Sequence, residues 1–170
     1  GEQQASREIL SEGLQALPGN TELLYGRALL SVELNRIEEA EQDLRQILAD
    51  DPENAAALNA LGYTLADRSE RLEEAQQLIR AAHELQPEEA SILDSMGWVA
   101  YRQGRLNEAL AWLEEAWIRD KNPEIAAHLG EVLWKLGRES EAVEVWRQGH
   151  ELGRQNPVLR ETLDRFGVDL

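Results

Sequence analysis

Apolar residues recur along the chain at the three- and four-residue spacing of an amphipathic α-helix. In one segment the spacing is carried by Leu58, Leu61 and Leu65. A later segment keeps a single helical face with Leu72, Ala75, Leu78, Ile79 and Ala82. No segment sustains the alternation of apolar and polar residues that a half-buried strand requires. The pattern therefore predicts an all-α protein.

Breaks in this pattern divide the chain into consecutive helices. A first helix is predicted at 3–17 and a last helix at 157–166, and between them lie four helical hairpins. The predicted hairpins are 21–34 with 37–49, 55–67 with 72–85, 90–103 with 106–119, and 124–136 with 139–152. The last helix presents charged residues on one side and, on the other, the apolar residues Val158, Leu159, Leu163 and Phe166. Because a stack of hairpins needs a polar cover at its end, we expect this helix to cap the stack.

An internal repeat sets the length of these hairpins. The prolines lie 34, 35, 36 and 34 residues apart, at Pro18, Pro52, Pro87, Pro123 and Pro157. Small residues keep nearly the same period, at Gly62, Gly97 and Gly130 in the first helices and at Ala40, Ala75, Ala109 and Ala142 in the second. Small side chains at these places predict that the two helices of each hairpin cross closely. Gly104 and Gly137 are predicted to end their helices in a left-handed conformation.

This period and these small residues resemble the tetratricopeptide repeat (TPR), whose unit has about 34 residues. The resemblance implies a TPR superhelical solenoid of antiparallel helix hairpins with a C-terminal capping helix. The implied single array covers 1–170, with a partial unit at 1–20, repeats at 21–54, 55–89, 90–122 and 123–156, and the cap at 157–170. The first repeat departs from the pattern with Ala28 in place of glycine. The second has an extra residue between Asp67 and Arg71, where we expect a longer or shifted turn.

Charge and composition narrow the classes of partner. The net charge of −16 repels phosphate backbones and anionic lipid, so we expect no nucleic-acid partner and no unaided docking on a membrane. The absence of cysteine excludes disulfides and thiolate metal sites within the chain. The chain starts at Gly1, already inside a helical pattern. We interpret it as a fragment, so that any targeting segment or lipid anchor would lie upstream.

Residues that carry chemistry are sparse. The three histidines, His83, His128 and His150, lie on different predicted helices and lack ligand spacing such as i, i+4. Paired glutamates recur near helix starts, where the helix dipole stabilises a carboxylate without any catalytic role. We therefore predict no enzyme activity, no catalytic residues, no metal site and no cofactor, and we expect the histidines to be surface or packing residues.

Candidate partner-binding residues come from the TPR resemblance, which implies that the first helix of each hairpin lines a concave groove. The residues that we assign to this groove are Tyr25, Asn59, Tyr63, Asp94, Trp98, Tyr101, Arg102, Glu131 and Trp134. Exposed aromatic rings anchor interfaces, so we predict a groove for an extended peptide or a partner helix, with Asn59 and Arg102 supplying hydrogen bonds. The alternative is that some of these rings pack between neighbouring first helices.

Three stretches resemble a narrower group. The stretches at 57–67, 92–98 and 123–134 are similar to the C-terminal repeats of Gram-negative outer-membrane TPR lipoproteins. Members of that group act as adaptors that deliver cell-wall hydrolases to a periplasmic carboxy-terminal processing protease. The resemblance implies a periplasmic scaffold, anchored through an upstream lipid, whose partners are such a protease and its substrates. The repeat alone fits a cytosolic TPR co-chaperone or assembly scaffold equally well.

Overall fold

The computed structural model describes residues 1–68 and 71–170, and these residues form ten α-helices and no strand. The prediction of an all-α fold is confirmed. The chain divides into two compact units, which we call unit 1 (Gly1–Leu85) and unit 2 (Gln86–Leu170) and describe separately. None of the helices within the described ranges is long and apolar enough to cross a membrane.

Unit 1 consists of five helices that pack in chain order. They are α1 (Glu2–Ala16), α2 (Thr21–Glu33), α3 (Ile37–Asp50), α4 (Ala55–Arg68) and α5 (Leu72–Leu85). The pairs α2/α3 and α4/α5 form helical hairpins, α1 packs on α2, and α3 joins the two hairpins by packing on α4. Each fully buried leucine or isoleucine of the core contributes about 1.5–3 kcal/mol.

Unit 2 also contains two hairpins, but its fifth helix follows the hairpins instead of preceding them. Its helices are α6 (Ala90–Arg102), α7 (Leu106–Arg119), α8 (Pro123–Lys135), α9 (Glu139–Leu152) and α10 (Pro157–Phe166). The pairs α6/α7 and α8/α9 form hairpins, α7 packs on α8, and α10 packs on both α8 and α9.

The last helix covers the core of unit 2, as the sequence predicts. Leu159 and Leu163 of α10 are buried in that core, and Val158 and Phe166 pack against it. The charged residues of α10 are exposed on its other side. The helix therefore buries the apolar end of the unit and leaves a polar surface.

The predicted helix ends agree with the structure to within one residue, and asparagine caps explain part of this agreement. Each cap side chain accepts a hydrogen bond from a backbone N–H two or three residues later, which satisfies a donor that the helix itself leaves unpaired. The caps precede α2, α4, α8 and α10 and are Asn20, Asn54, Asn122 and Asn156.

The turns inside the hairpins use one left-handed residue. Gly104 and Gly137 both have a φ of 78°, which confirms the prediction, and Asn35 takes the same role in the first hairpin with a φ of 57°. Asparagine is among the few other residues that tolerate this conformation. The longer turn expected in the second hairpin falls on Ser69 and Glu70, which lie outside the described residues.

The helices of each hairpin cross closely at the repeated glycines. A methyl group placed on Gly62 would lie 2.5 Å from Cγ1 of Ile79 and 3.0 Å from the carbonyl oxygen of Ala75. Gly97 and Gly130 are closed off in the same way by a side chain of the second helix. Since real Cβ atoms do not approach other atoms so closely, glycine allows the spacing between these helices.

Candidate functional site

The predicted site residues of unit 1 lie on its two first helices, α2 and α4. The spacing of Tyr25 and Leu29 places them one turn apart on α2, while Asn59 and Tyr63 are related in the same way on α4. Asn59 lies 34 residues after Tyr25, and Tyr63 lies 34 residues after Leu29, so the two pairs hold the same positions in consecutive repeats. We call these four residues the unit 1 face. Leu29 is 43% exposed, and the other three are partly buried. The unit 1 face therefore joins an accessible aliphatic side chain to two phenols and an amide.

Two polar groups of the unit 1 face make no hydrogen bond within the described part of the chain. The Oδ1 atom of Asn59 is buried and accepts none. The hydroxyl of Tyr25 is likewise unpaired among residues 1–68 and 71–170, and burial raises the pKa of this phenol. An unsatisfied buried polar atom costs free energy, so a hydrogen bond from a ligand to the Oδ1 atom of Asn59 would remove a cost that the free chain bears.

Carboxylates flank the unit 1 face. Glu22 and Glu33 are exposed at the two ends of the same stripe of α2. Glu33 accepts a hydrogen bond of 2.8 Å from Nε2 of Gln3, a neutral donor that adds no charge of its own. Asp67, at the end of α4, pairs with Arg68 through an N–O distance of 2.8 Å. The stripe of α2 thus carries negative charge at both ends.

Arginines of unit 1 are used in ion pairs between helices. Arg27 of α2 donates two hydrogen bonds, of 2.8 and 2.6 Å, to the buried carboxylate of Asp43 on α3. This bidentate pairing raises the pKa of Arg27. Arg7 of α1 donates to the hydroxyl of Ser31 at 2.9 Å and pairs with Glu39. These cations tie α1, α2 and α3 together.

In unit 2 the predicted site residues Asp94 and Trp98 are buried around a histidine. Nδ1 of His128 lies 2.9 Å from both carboxylate oxygens of Asp94. The ring of Trp98 stacks on that of His128 with centroids 4.2 Å apart. Trp98 is only 5% exposed and His128 only 2%. This group joins α6 to α8 inside unit 2.

A second polar group in unit 2 is centred on Glu131, which is 4% exposed. The hydroxyl of Tyr101 donates to Oε1 at 2.7 Å, and Nη2 of Arg165, on α10, donates to Oε2 at 2.5 Å. Burial, followed by the bond to Glu131, raises the pKa of Tyr101, whereas the charges of Arg165 and Arg102 act in the opposite direction. Both oxygens of this buried carboxylate therefore have partners, and one partner belongs to the capping helix.

Trp134, the remaining predicted residue of unit 2, covers the end of the core. Its ring is partly buried and stacks on Trp146 at 5.6 Å, with Phe166 of α10 at the same centroid distance. Nζ of Lys135 lies 5.6 Å from the Phe166 ring. Trp134 is thus a partly buried aromatic packing residue.

The structure divides the predicted groove residues into two sets. The partly buried set, with accessible surface, is Tyr25, Asn59, Tyr63, Tyr101, Arg102 and Trp134; the buried set is Asp94, Trp98 and Glu131. Packing of rings between neighbouring first helices, the alternative that the sequence left open, describes Trp98. For every residue in both sets, contact with a partner stays a prediction.

Sequence reasoning missed two participants, His128 and Arg165. Each lies 34 residues after its partner, His128 after Asp94 and Arg165 after Glu131. Residues one repeat apart occupy neighbouring first helices, so the repeat length itself was the signal that could have identified both pairs. Among the described residues, no group of three or more His, Asp or Glu side chains is placed to hold a metal ion.

Comparison with known sequences finds a long relative. The chain is 46% identical over 130 residues to the TPR repeat-containing protein PA4667 of Pseudomonas aeruginosa. The match covers 76% of this chain and 22% of that protein, so the chain spans about a fifth of the length of this relative.

Solved structures share the fold at low identity. TTC0263, a thermophilic TPR protein of Thermus thermophilus, matches 98% of this chain and 91% of its own with a TM-score of 0.83 and 22% identity. The structure of pilF from Pseudomonas aeruginosa matches 98% of this chain and 78% of its own with a TM-score of 0.71 and 22% identity. MamA from Desulfovibrio magneticus matches 92% and 89% with a TM-score of 0.68 and 18% identity.

Family models described as tetratricopeptide repeat match residues 2–62 and residues 90–119. Together these matches cover more than half of the 170 residues and include helices from both units. The repeat period, the glycine crossings, the helix order and the shared fold agree with them. The chain belongs to the tetratricopeptide-repeat family.

Proposed function

We propose that this chain is a non-catalytic scaffold that acts as a periplasmic adaptor and brings protein substrates to a carboxy-terminal processing protease. The observation that carries the scaffold role is the unit 1 face, where Leu29 is exposed and the polar groups of Tyr25 and Asn59 are unpaired within the described residues. Such a surface offers apolar contact and hydrogen bonds to another chain.

The adaptor role is supported by the resemblance of residues 57–67, 92–98 and 123–134 to outer-membrane TPR lipoproteins. An adaptor of this kind needs two surfaces, one for the protease and one for its substrates. The chain contains two compact units, each with its own pair of hairpins. We propose that the anchor which would hold it at the outer membrane lies upstream of Gly1.

A reconstituted degradation assay tests this function. A purified carboxy-terminal processing protease is mixed with a cell-wall hydrolase, and the disappearance of the hydrolase is followed with and without the chain. We expect the chain to accelerate degradation several-fold and to be neither consumed nor needed for cleavage of a small unstructured peptide. A double variant, Leu29→Ser with Asn59→Leu, should lose the acceleration. If the wild-type chain leaves the rate of hydrolase degradation unchanged, the adaptor role is wrong.

A further inference from the structure

We infer that the unit 1 face, and not the first-helix side of unit 2, receives the partner, and that this partner is an extended segment carrying an apolar side chain between lysines or arginines. The inference rests on the proposed scaffold function and adds the location and chemistry of the binding site. Three independent properties of the unit 1 face support it: unpaired polar groups, an exposed aliphatic side chain and flanking negative charge.

Hydrogen-bonding capacity differs between the two units. In unit 2 the buried polar residues Asp94 and Glu131 of the first helices are engaged internally, Asp94 with His128 and Glu131 with Tyr101 and Arg165. In unit 1, the Oδ1 atom of Asn59 is buried and unpaired within the described residues. Across residues 1–68 and 71–170, it is therefore unit 1 that has a buried side-chain polar atom on a first helix without a hydrogen bond.

The amide of Asn59 suits a peptide backbone. A side-chain amide has one acceptor and one donor group, which can pair with the N–H and C=O of a single peptide unit. Tyr25 lies 34 residues earlier, at the same repeat position of α2, and its unpaired hydroxyl adds a donor. An extended segment leaves its backbone groups free for such bonds, whereas a helix uses them internally.

The apolar contact of the unit 1 face is Leu29. Large hydrophobic residues are also exposed elsewhere among the described residues, at Ile9, Leu17, Leu85, Ile118, Leu152 and Leu170. Of this whole set only Leu29 lies on the first helix of a hairpin. It is one turn from Tyr25, so an incoming apolar side chain would contact an aliphatic and an aromatic surface together.

Charge fixes the flanking residues of the partner. Glu22 and Glu33 are eleven residues apart on α2, which corresponds to about 16 Å along the helix axis. An extended chain covers that distance in about five residues. A segment that runs along α2 would therefore meet both carboxylates if its basic residues were about five positions apart. A basic residue lies in the last turn of the other first helices, at Arg68 of α4, Arg102 of α6 and Lys135 of α8, whereas the last turn of α2 carries none.

A substitution at Asn59 is expected to change stability and binding in opposite directions. Its buried, unpaired oxygen destabilises the free protein, and the partner removes that cost when it donates a hydrogen bond. Replacement by leucine should therefore raise the melting temperature of the free chain and lower its affinity for the partner. A residue with a purely structural role would lower both stability and binding, or neither.

The experiment is a selection of phage-displayed random dodecapeptides on the immobilised wild-type chain, followed by anisotropy titrations with fluorescein-labelled synthetic copies of the enriched peptides. We expect the enriched peptides to be net positive, with an apolar residue between lysines or arginines about five positions apart. Asn59→Leu and Leu29→Ser should each raise Kd at least tenfold. Two control variants should keep Kd within twofold: Ile118→Ser, which removes a 74% exposed aliphatic residue of α7, and Lys135→Ser on α8.

Other outcomes overturn the inference. Enriched peptides that are acidic would contradict the assigned chemistry, and a loss of binding in Lys135→Ser with none in Leu29→Ser would place the site in unit 2. Failure to enrich any peptide would also reject the inference. The adaptor function is judged separately by the degradation assay, so acceleration there with no peptide enrichment would leave the scaffold role standing without this site.

Discussion

The close crossing at Gly62 leads to a prediction in which the same substitution has opposite effects at two places in unit 1. In Gly62→Ala the new methyl group would lie 2.5 Å from Cγ1 of Ile79, which is fully buried, and 3.0 Å from the carbonyl oxygen of Ala75. Neither atom can yield without moving α5. Overpacking of this kind costs about 1–3 kcal/mol. The intrinsic helix preference of alanine over glycine returns about 1 kcal/mol.

The middle of the overpacking range less the helix preference leaves a loss of about 1 kcal/mol in the free energy of unfolding for Gly62→Ala, and of about 2 kcal/mol at most. The matched control is Gly26→Ala on α2, where the new methyl group would meet Cδ1 of Leu10 at an ordinary 3.5 Å. Because no atom is crowded there, only the helix preference of alanine acts, and the free energy of unfolding of Gly26→Ala should rise by about 0.5–1 kcal/mol. Ala28, which holds the Gly62 position in the first hairpin, is fully buried and shows that a methyl group fits between α2 and α3.

Urea titrations followed by far-UV circular dichroism measure both changes. The reasoning requires the midpoint to fall for Gly62→Ala and to rise for Gly26→Ala, with similar slopes for both variants and the wild type. A Gly62→Ala protein as stable as the wild type would show that α4 and α5 separate at little cost. In that case the glycine period would not be set by helix spacing.

Three further predictions concern groups that the structure ties together. Arg165→Ala removes the cation from the buried carboxylate of Glu131 and should cost about 1–3 kcal/mol in thermal unfolding, and an unchanged melting temperature would contradict this. The hydrogen bond from Arg71 lowers the pKa of Glu41 from 4.5 to about 2. The ionised Glu41 therefore stabilises the fold fully above pH 4.5, and this contribution is lost as the pH falls towards 2. When stability is measured against pH, Glu41→Gln should lack this part of the acid-induced loss. Trp98→Ala should lower the free energy of unfolding in urea by about 3–5 kcal/mol because the ring is buried, and a much smaller decrease would contradict that burial.

The sequence predicted the helices well because local signals mark both ends of each repeat. The prediction of a helix at 21–34 matches α2, at Thr21–Glu33, since Asn20 caps its start and Asn35 supplies the left-handed residue after its end. Glycine at position 62 likewise predicted a close crossing. These features depend on residues that are near in the sequence, or on a contact that recurs in every hairpin.

The candidate site was harder to predict because it depends on pairing between repeats. Tryptophan is a residue type that often anchors interfaces, yet the ring of Trp98 stacks on His128, which belongs to the next hairpin. Whether such a ring is exposed depends on the side chain one repeat later, which hydropathy does not record. The same holds for Glu131, which its repeat position assigned to the groove but which is paired with Arg165 of the capping helix. The unpaired oxygen of Asn59 is likewise a property of the packed helices of unit 1, which the sequence pattern does not record.

The distribution of indole rings gives the chain a built-in optical label for one half of its length. All five tryptophans lie between Trp98 and Trp146, in unit 2, while the aromatic residues of unit 1 are the phenols Tyr25 and Tyr63. Intrinsic emission excited at the red edge of protein absorption therefore reports the melting of Gln86–Leu170 alone, whereas ellipticity reports both halves. Coincident transitions by the two signals would mean that the halves melt as one cooperative block, and separated transitions would give the order in which they are lost.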